Sequence, residues 1–172
     1  MELAVLNWIQ QTLRTDWLDP LMAFVSALGD AGAIWIVLAV VLLCFPKTRR
    51  AGVTVALALL LDVILCNGVL KPLFDRARPC AVNPAVELLV KCPADASFPS
   101  GHTAASFAAV GALCAAGEKL WKPGLVLAVL IAFSRLYLYV HWPSDVLAGA
   151  LLGWGLGFLA RYLLRRIKNL RK

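Results

Sequence analysis

The sequence predicts an all-α protein: a polytopic transmembrane bundle of five spans, with six as the alternative, preceded by an amphipathic helix lying in the membrane interface. Three observations carry that reading. The composition is 61% hydrophobic and 16% charged, outside the usual balance of a water-soluble globule. Apolar runs long enough to cross a hydrocarbon core recur along the chain. The cations are also segregated, and eleven of the seventeen Lys and Arg fall in three places: Lys47–Arg50, the break at Gly117–Pro123, and the C-terminal stretch with Arg161, Arg165, Arg166, Lys168, Arg171 and Lys172. The net charge of +7 therefore reads as topology and calls for no nucleic-acid partner, because cytoplasmic loops collect Lys and Arg. By length the whole chain, 1–172, is one domain.

Taken in order, the first 19 residues are too polar to span. Asn7, Gln10, Gln11, Arg14, Asp16 and Asp19 interrupt them, while Leu3, Leu6, Trp8, Ile9, Leu13 and Trp17 give one apolar face. That pattern suits a helix lying in the outer interface; with no basic start and no clean apolar stretch it is not a cleavable signal peptide. Pro20–Leu28 and Ala33–Phe45 are each too short to cross, and they join across Gly29-Asp30-Ala31-Gly32 as one interrupted crossing. Ala51–Leu70, Leu120–Val140 and Ser144–Leu164 are each about 20 residues and sufficient alone. Thr103–Gly117 is shorter and rich in Ala, Gly and Ser, as expected of a helix packed inside a bundle. The C-terminus is then cytoplasmic and the N-terminus outside, in the plasma membrane of a bacterium.

This topology gathers three polar islands at the extracytoplasmic face: Lys71–Pro79 (KPLFDRARP), Pro99–His102 (PSGH) and Ser134–Asp145 (SRLYLYVHWPSD). A phosphoryl group in transfer spreads negative charge over its oxygens and needs fixed cations and N–H donors. Lys71, Arg78 and Arg135 are such cations, and the planar guanidinium can hold two oxygens at once. Ser100 and Gly101 open a helix whose free N–H groups suit an anion. His141 is a candidate nucleophile with Asp145 to orient its ring, and His102 is the candidate acid for the leaving oxygen. The bland alternatives are cations snorkelling to headgroups and a structural histidine. A metal site is not expected: there are two histidines, and neither stands in a zinc-type spacing.

Taken together, Lys-x6-Arg-Pro (Lys71, Arg78, Pro79), Pro-Ser-Gly-His (Pro99, Ser100, Gly101, His102) and Ser-Arg-x5-His-x3-Asp (Ser134, Arg135, His141, Asp145) resemble the signature of the type 2 phosphatidic acid phosphatase superfamily, the lipid phosphate phosphatases. The resemblance implies a membrane phosphatase with no metal or other cofactor, acting on a lipid phosphate that enters from the bilayer. It implies a phosphohistidine on His141, His102 as acid, Asp145 supporting His141, and Lys71, Arg78, Ser100, Gly101 and Arg135 holding the phosphoryl group. Within the family, analogy favours an undecaprenyl pyrophosphate phosphatase. The alternatives are a phosphatidylglycerophosphate or phosphatidic acid phosphatase, or a lipid phosphotransferase using the same intermediate.

Several residues outside the signature carry expectations of their own. Asp62 and Asn67 lie within a span, where polar groups are costly; Asn67 sits one turn before Lys71 and can orient it, and Asp62 either tunes the site or ties two helices together. Asp75 and Arg76 either touch the headgroup or form a local ion pair. Tyr137, Tyr139 and Trp142 read as interfacial aromatics, or as part of a lipid entrance. Cys80 and Cys92 flank the long extracytoplasmic loop and can pair, with two free thiols as the alternative. Gly149, Gly153 and Gly157 form a stripe suited to close packing within the monomer or to a homodimer.

Overall fold

The structure is a computed structural model that describes residues 1–170; Arg171 and Lys172, counted above among the C-terminal cations, lie outside the described residues. Its helices are α1 (Glu2–Thr12), α2 (Leu18–Leu28), α3 (Ala33–Cys44), α4 (Arg49–Asp62), α5 (Lys71–Phe74), α6 (Pro79–Val82), α7 (Gly101–Ala116), α8 (Trp121–Tyr137) and α9 (Pro143–Leu170). No strand occurs among the described residues.

α7 is the axis of the bundle, packed against α4, α8 and α9. Its sequence explains the position. Ala104, Ala105, Ala108, Ala109, Gly111 and Ala112 let neighbours approach from every side, and the run Thr103–Leu113 is almost wholly buried. The closest approach is to α9. A Cβ on Gly153 would stand 2.1 Å from the Ala104 carbonyl oxygen, and one on Gly157 2.3 Å from the Ala112 nitrogen. The glycine stripe Gly149, Gly153 and Gly157 is therefore covered by α7 within the monomer. A second copy would have to use another surface.

The outer faces are the reverse of a soluble protein's. Val37, Val40 and Val41 on α3, Val126 and Val129 on α8, and Leu147, Leu151 and Phe158 on α9 are all exposed. Water would penalise each by roughly 1.5–3 kcal/mol relative to burial; lipid removes that penalty. Arg49–Val82 and Pro143–Asn169 are long and apolar enough to cross a membrane individually. The α2–α3 pair meets the same test jointly, bent by 47° at its break. The break is a 3-10 turn, Asp30–Gly32, with Ala31 at φ 51° and Gly32 at φ 71°. Gly32 takes up the left-handed conformation without a Cβ penalty.

Two expectations change. The span expected over Leu120–Val140 is helical only to Tyr137, because the chain must turn there to carry Val140 and His141 inward. Tyr137, Tyr139 and Trp142 are not interfacial, having only 1%, 1% and 9% of their surface exposed. α1 covers them instead. Leu6 packs with Tyr139 and Trp142, Asn7 Oδ1 accepts from the Tyr139 hydroxyl, and Gln10 donates to the Tyr137 carbonyl.

Candidate active site

The helix boundaries place the three islands together. A π-helical stretch, Val63–Leu70, leads from α4 into α5 and carries Lys71 to its end. Asp75, at φ 38°, stops α5; an Asp tolerates that conformation better than most residues. The chain then runs to Arg78, the residue preceding α6. Ser100 is the N-cap of α7, Arg135 lies in the last turn of α8, and Asp145 is in the first turn of α9. Direct contacts join all three islands. Arg78 Nη1 donates to the Val140 carbonyl at 2.8 Å, the Ser100 amide donates to the Asp145 carbonyl at 3.1 Å, and Lys71 Nζ would lie 3.7 Å from a Cβ on Gly101.

His141 is buried and met by polar groups at both ring nitrogens. Its Nε2 is 3.0 Å from Arg78 Nη1. Arginine can only donate, so Nε2 must present its lone pair and the proton belongs on Nδ1. On that side lie Asp145 Oδ2 at 3.5 Å and the Ser97 hydroxyl at 3.4 Å. Burial is the main reason the imidazole is pushed down to about 3; Arg78 and Arg135 add to this, while Asp145 opposes it. The ring is thus neutral at ordinary pH with Nε2 nucleophilic. Asp145 is itself fixed by Ser97 Oγ, by the Trp142 amide at 2.9 Å and by Arg76 Nη1 at 2.6 Å.

The cations form a cradle above this ring. Arg78 is buried, with Nη2 2.8 Å from Asp95 Oδ1, and Lys71 Nζ pairs with the other carboxylate oxygen of Asp95. Arg135 is buried too; it donates to Ser26 Oγ, and its Nε has no partner. Ser100 Oγ accepts from Thr103 Oγ1 at 3.0 Å and does not cap its own helix, so the first-turn N–H groups of α7 stay available to an anion. Ser134, by contrast, donates to the Ile131 carbonyl of its own helix.

His102 lies across a cavity of about 600 Å³ that also meets Lys71, Asp95, Asn67 and Asp62. Asn67 Oδ1 comes within 3.4 Å of the Cβ position of Gly101, which puts it beside Lys71. Asp62 is buried with Oδ1 unpartnered, so that oxygen ties no helices together. Cys80 and Cys92 are bonded, with Cα atoms 6.0 Å apart, and the pair tethers the chain beside Arg78. No group of three or more His, Cys, Asp or Glu arranged to hold a metal occurs among the described residues.

Sequence reasoning missed Asp95, Ser97 and Glu2. The first two stand just before Pro99 in a loop that reads as a mere connection; their only signal is polarity next to a motif. Glu2 gives no signal at all. It accepts from Arg76 Nη2 at 2.6 Å and from the Ser144 amide at 2.9 Å, and these donors outweigh burial and hold its carboxyl low. Arg76 is thus a clamp between Glu2 and Asp145, stacked over Trp142 at 5.3 Å, and these acids replace the local pair with Asp75 that the sequence offered.

A neutral buried histidine whose Nε2 lone pair faces Arg78, with a second arginine, a lysine and a helix N-terminus nearby, has the geometry of a phosphoryl-transfer site at one end of an apolar bundle. The chain belongs to the PAP2 superfamily, whose family model matches residues 51–168. It is 39% identical over 145 residues to an undecaprenyl-diphosphatase of Sulfolobus acidocaldarius, covering 83% of this chain and 69% of that protein. The crystal structures similar to it include two. One is a transmembrane PAP2-type phosphatidylglycerolphosphate phosphatase from Bacillus subtilis (TM-score 0.78, 29% identity, 96% of this chain and 85% of that one). The other is LpxE of Aquifex aeolicus (TM-score 0.78, 32% identity, 92% and 93%).

Proposed function

We propose that this membrane lipid phosphatase of the PAP2 superfamily takes a polyprenyl diphosphate, undecaprenyl diphosphate for preference, and releases inorganic phosphate through a phosphohistidine on His141. The observation that carries the mechanism is the 3.0 Å contact of Arg78 with His141 Nε2, which commits the proton to Nδ1 and leaves Nε2 as the attacking atom. Arg78 transfers its hydrogen bond from Nε2 to a phosphoryl oxygen, and the released Nε2 lone pair forms a bond to the terminal phosphorus. The bond from that phosphorus to the bridging oxygen breaks, and His102 gives the oxygen a proton. Water then attacks the phosphohistidine, His102 takes its proton, and the N–P bond breaks to return neutral His141. Asp145 stabilises the positive charge that His141 carries as the phosphohistidine, while Lys71, Arg78, Arg135, Ser100 and the Gly101 amide hold the phosphoryl oxygens.

The substrate reaches the site from the bilayer. Ile36, Leu59, Leu60 and Val63 line the cavity that ends at Lys71 and His102, and Ile36, Leu60 and Val63 are also exposed on the outer helix faces. A polyprenyl tail can stay in lipid while its headgroup enters. The 39% identity to a diphosphatase favours a diphosphate headgroup. The similarity to a phosphatidylglycerolphosphate phosphatase keeps the glycerophospholipid monoester as the second reading.

In this reading the chain is one domain with five crossings, the site outside and the C-terminus cytoplasmic, and α1 lies in the outer interface. Contacts at both ends of α1 support that: Glu2 meets Arg76 and Ser144, and Arg14, just beyond the helix, donates to the Glu87 carbonyl. Both ends therefore sit beside the islands or the loop that joins the first two, and an 11-residue helix, about 16 Å long, is too short to cross a core of roughly 30 Å.

The test is phosphate release by purified protein from undecaprenyl diphosphate, undecaprenyl phosphate, phosphatidylglycerophosphate and phosphatidic acid. His141→Ala should cut turnover by at least about a thousandfold without changing the melting temperature by much. Vanadate should inhibit and EDTA should not. Activity lost in EDTA and restored by zinc or magnesium would overturn the mechanism.

A further inference from the structure

The break between α2 and α3 does more than interrupt a span. Asp30 Oδ1 lies 2.8 Å from His102 Nε2, although the two residues are 72 apart in sequence. A carboxylate only accepts, so Nε2 carries its hydrogen toward Asp30, and Nδ1 is the nitrogen left to exchange a proton with substrate. The approach is built into the backbone. A Cβ on Gly29 would lie 2.9 Å from His102 Cδ2 and 3.0 Å from Ile131 Cγ2, so a side chain there would push the break off the ring. The left-handed conformations at Ala31 and Gly32 then turn the chain away into α3, past Ala105 at 3.9 Å from the Cβ position of Gly32. One turn earlier, Ser26 accepts from Arg135. The segment from Ser26 to Gly32 thus touches two of the residues assigned to phosphoryl transfer.

We propose that Asp30 is the positioning residue of the acid His102: it fixes the ring with Nδ1 facing the leaving oxygen and balances the positive charge of the protonated imidazole. That charge needs a counter-ion, because Lys71 lines the same cavity. The pair repeats, on the leaving-group side, the carboxylate–imidazole arrangement of Asp145 and His141 on the nucleophile side. This inference rests on His102 being the acid, as argued above.

An acid matters in proportion to how poor the leaving group is. Turnover should therefore be compared across substrates sharing a terminal phosphoryl group: p-nitrophenyl phosphate, phenyl phosphate and an alkyl lipid phosphate. Asp30→Asn should lose about tenfold or more in kcat on the alkyl phosphate and no more than about threefold on p-nitrophenyl phosphate, with KM little changed. Asp30→Glu should restore part of the alkyl activity. Gly29→Ala, which keeps the carboxylate but displaces the break, should give the same leaving-group pattern and serves if Asp30→Asn does not fold. His102→Asn sets the full size of the effect. An equal loss on all three substrates in both Asp30→Asn and Gly29→Ala would show a merely structural role and overturn the proposal. If His102→Asn itself shows no dependence on leaving group, the assignment of the acid fails, and the role of Asp30 with it.

Discussion

Asp95 occupies the place of an anion. Its two carboxylate oxygens are divided between Lys71 and Arg78, the cations proposed above to hold the phosphoryl group. Burial tends to raise its pKa, but the bond from Lys71 and the charge of Arg78 outweigh that and bring it to about 2. Asp95 is therefore ionised at any working pH, and in the proposed mechanism an incoming phosphate would have to displace a full negative charge. Its side chain is half exposed, so solvent screens the pairs and displacement is feasible. Asp95→Asn should tighten binding of inorganic phosphate and vanadate by about three- to tenfold and lower KM, as read from inhibition constants. Weaker phosphate binding would mean that Asp95 serves to aim the two cations instead. The same residue marks where sequence reading stopped. Lys71, Arg78, His102 and His141 announce themselves by type and spacing. Ser97 acquires meaning only when the loop folds back onto α9, Asp95 only when it meets Lys71 and Arg78, and Asp30 only when a distant break meets α7.

Helix pairing was half legible. Small residues at intervals of four on α9 specify a close approach in lipid, where backbone contact replaces the hydrophobic drive, but they do not name the partner. In the fold that partner is α7, and the neighbouring glycines separate the two roles a glycine can have. Gly153→Ala would place a Cβ 2.1 Å from the Ala104 carbonyl oxygen and 2.8 Å from the Ala108 nitrogen. Two backbones cannot yield as a side chain does, so a loss of about 3 kcal/mol or more is expected, seen as a large drop in melting temperature in detergent. Gly155 has nothing within 4 Å of its Cβ position. Gly155→Ala should leave melting unchanged or raise it, since Ala favours helix over Gly by about 1 kcal/mol. Equal effects at the two sites would contradict this packing. The bond between Cys80 and Cys92, 12 residues apart, acts on a different element, the connection from α6 to α7. Chain entropy assigns such a ring roughly 3 kcal/mol. The double Cys→Ser variant should melt lower and raise KM more than it lowers kcat, because the tether fixes the chain carrying Asp95 and Ser97, not the attacking nitrogen.

At the scale of the whole molecule, the proposed orientation draws on the charge pattern and the place of the site. Lys47, Arg49 and Arg50, then Lys119 and Lys122, then Arg161, Arg165, Arg166 and Lys168 cluster at the turns and helix end away from the islands. The acids, by contrast, gather around the islands: Glu2, Asp19, Asp30, Asp95 and Asp145 all make polar contacts there. Span number has the weaker signal in the sequence. A 17-residue α8 and a 16-residue α7 fall short of the roughly 30 Å of a hydrocarbon core, and α1 is interrupted by polar residues that turn out to bind the third island. Labelling can decide both points. In a background with Cys44, Cys66 and Cys114 replaced by Ala and the Cys80–Cys92 pair kept, single cysteines at Pro84, Glu2 and Thr48 would be probed with an impermeant maleimide from outside intact cells. Pro84 and Glu2 should react and Thr48 should react only after lysis. Glu2 is the informative probe: the C-terminal end of α1 leads into the outward start of the α2–α3 crossing either way, and an interfacial α1 keeps Glu2 beside Arg76 and Ser144, on the same side as Pro84. Labelling of Glu2 only after lysis would make α1 a crossing, and labelling of Thr48 in place of Pro84 would turn the site to the cytoplasm and remove the outward-facing substrate with it.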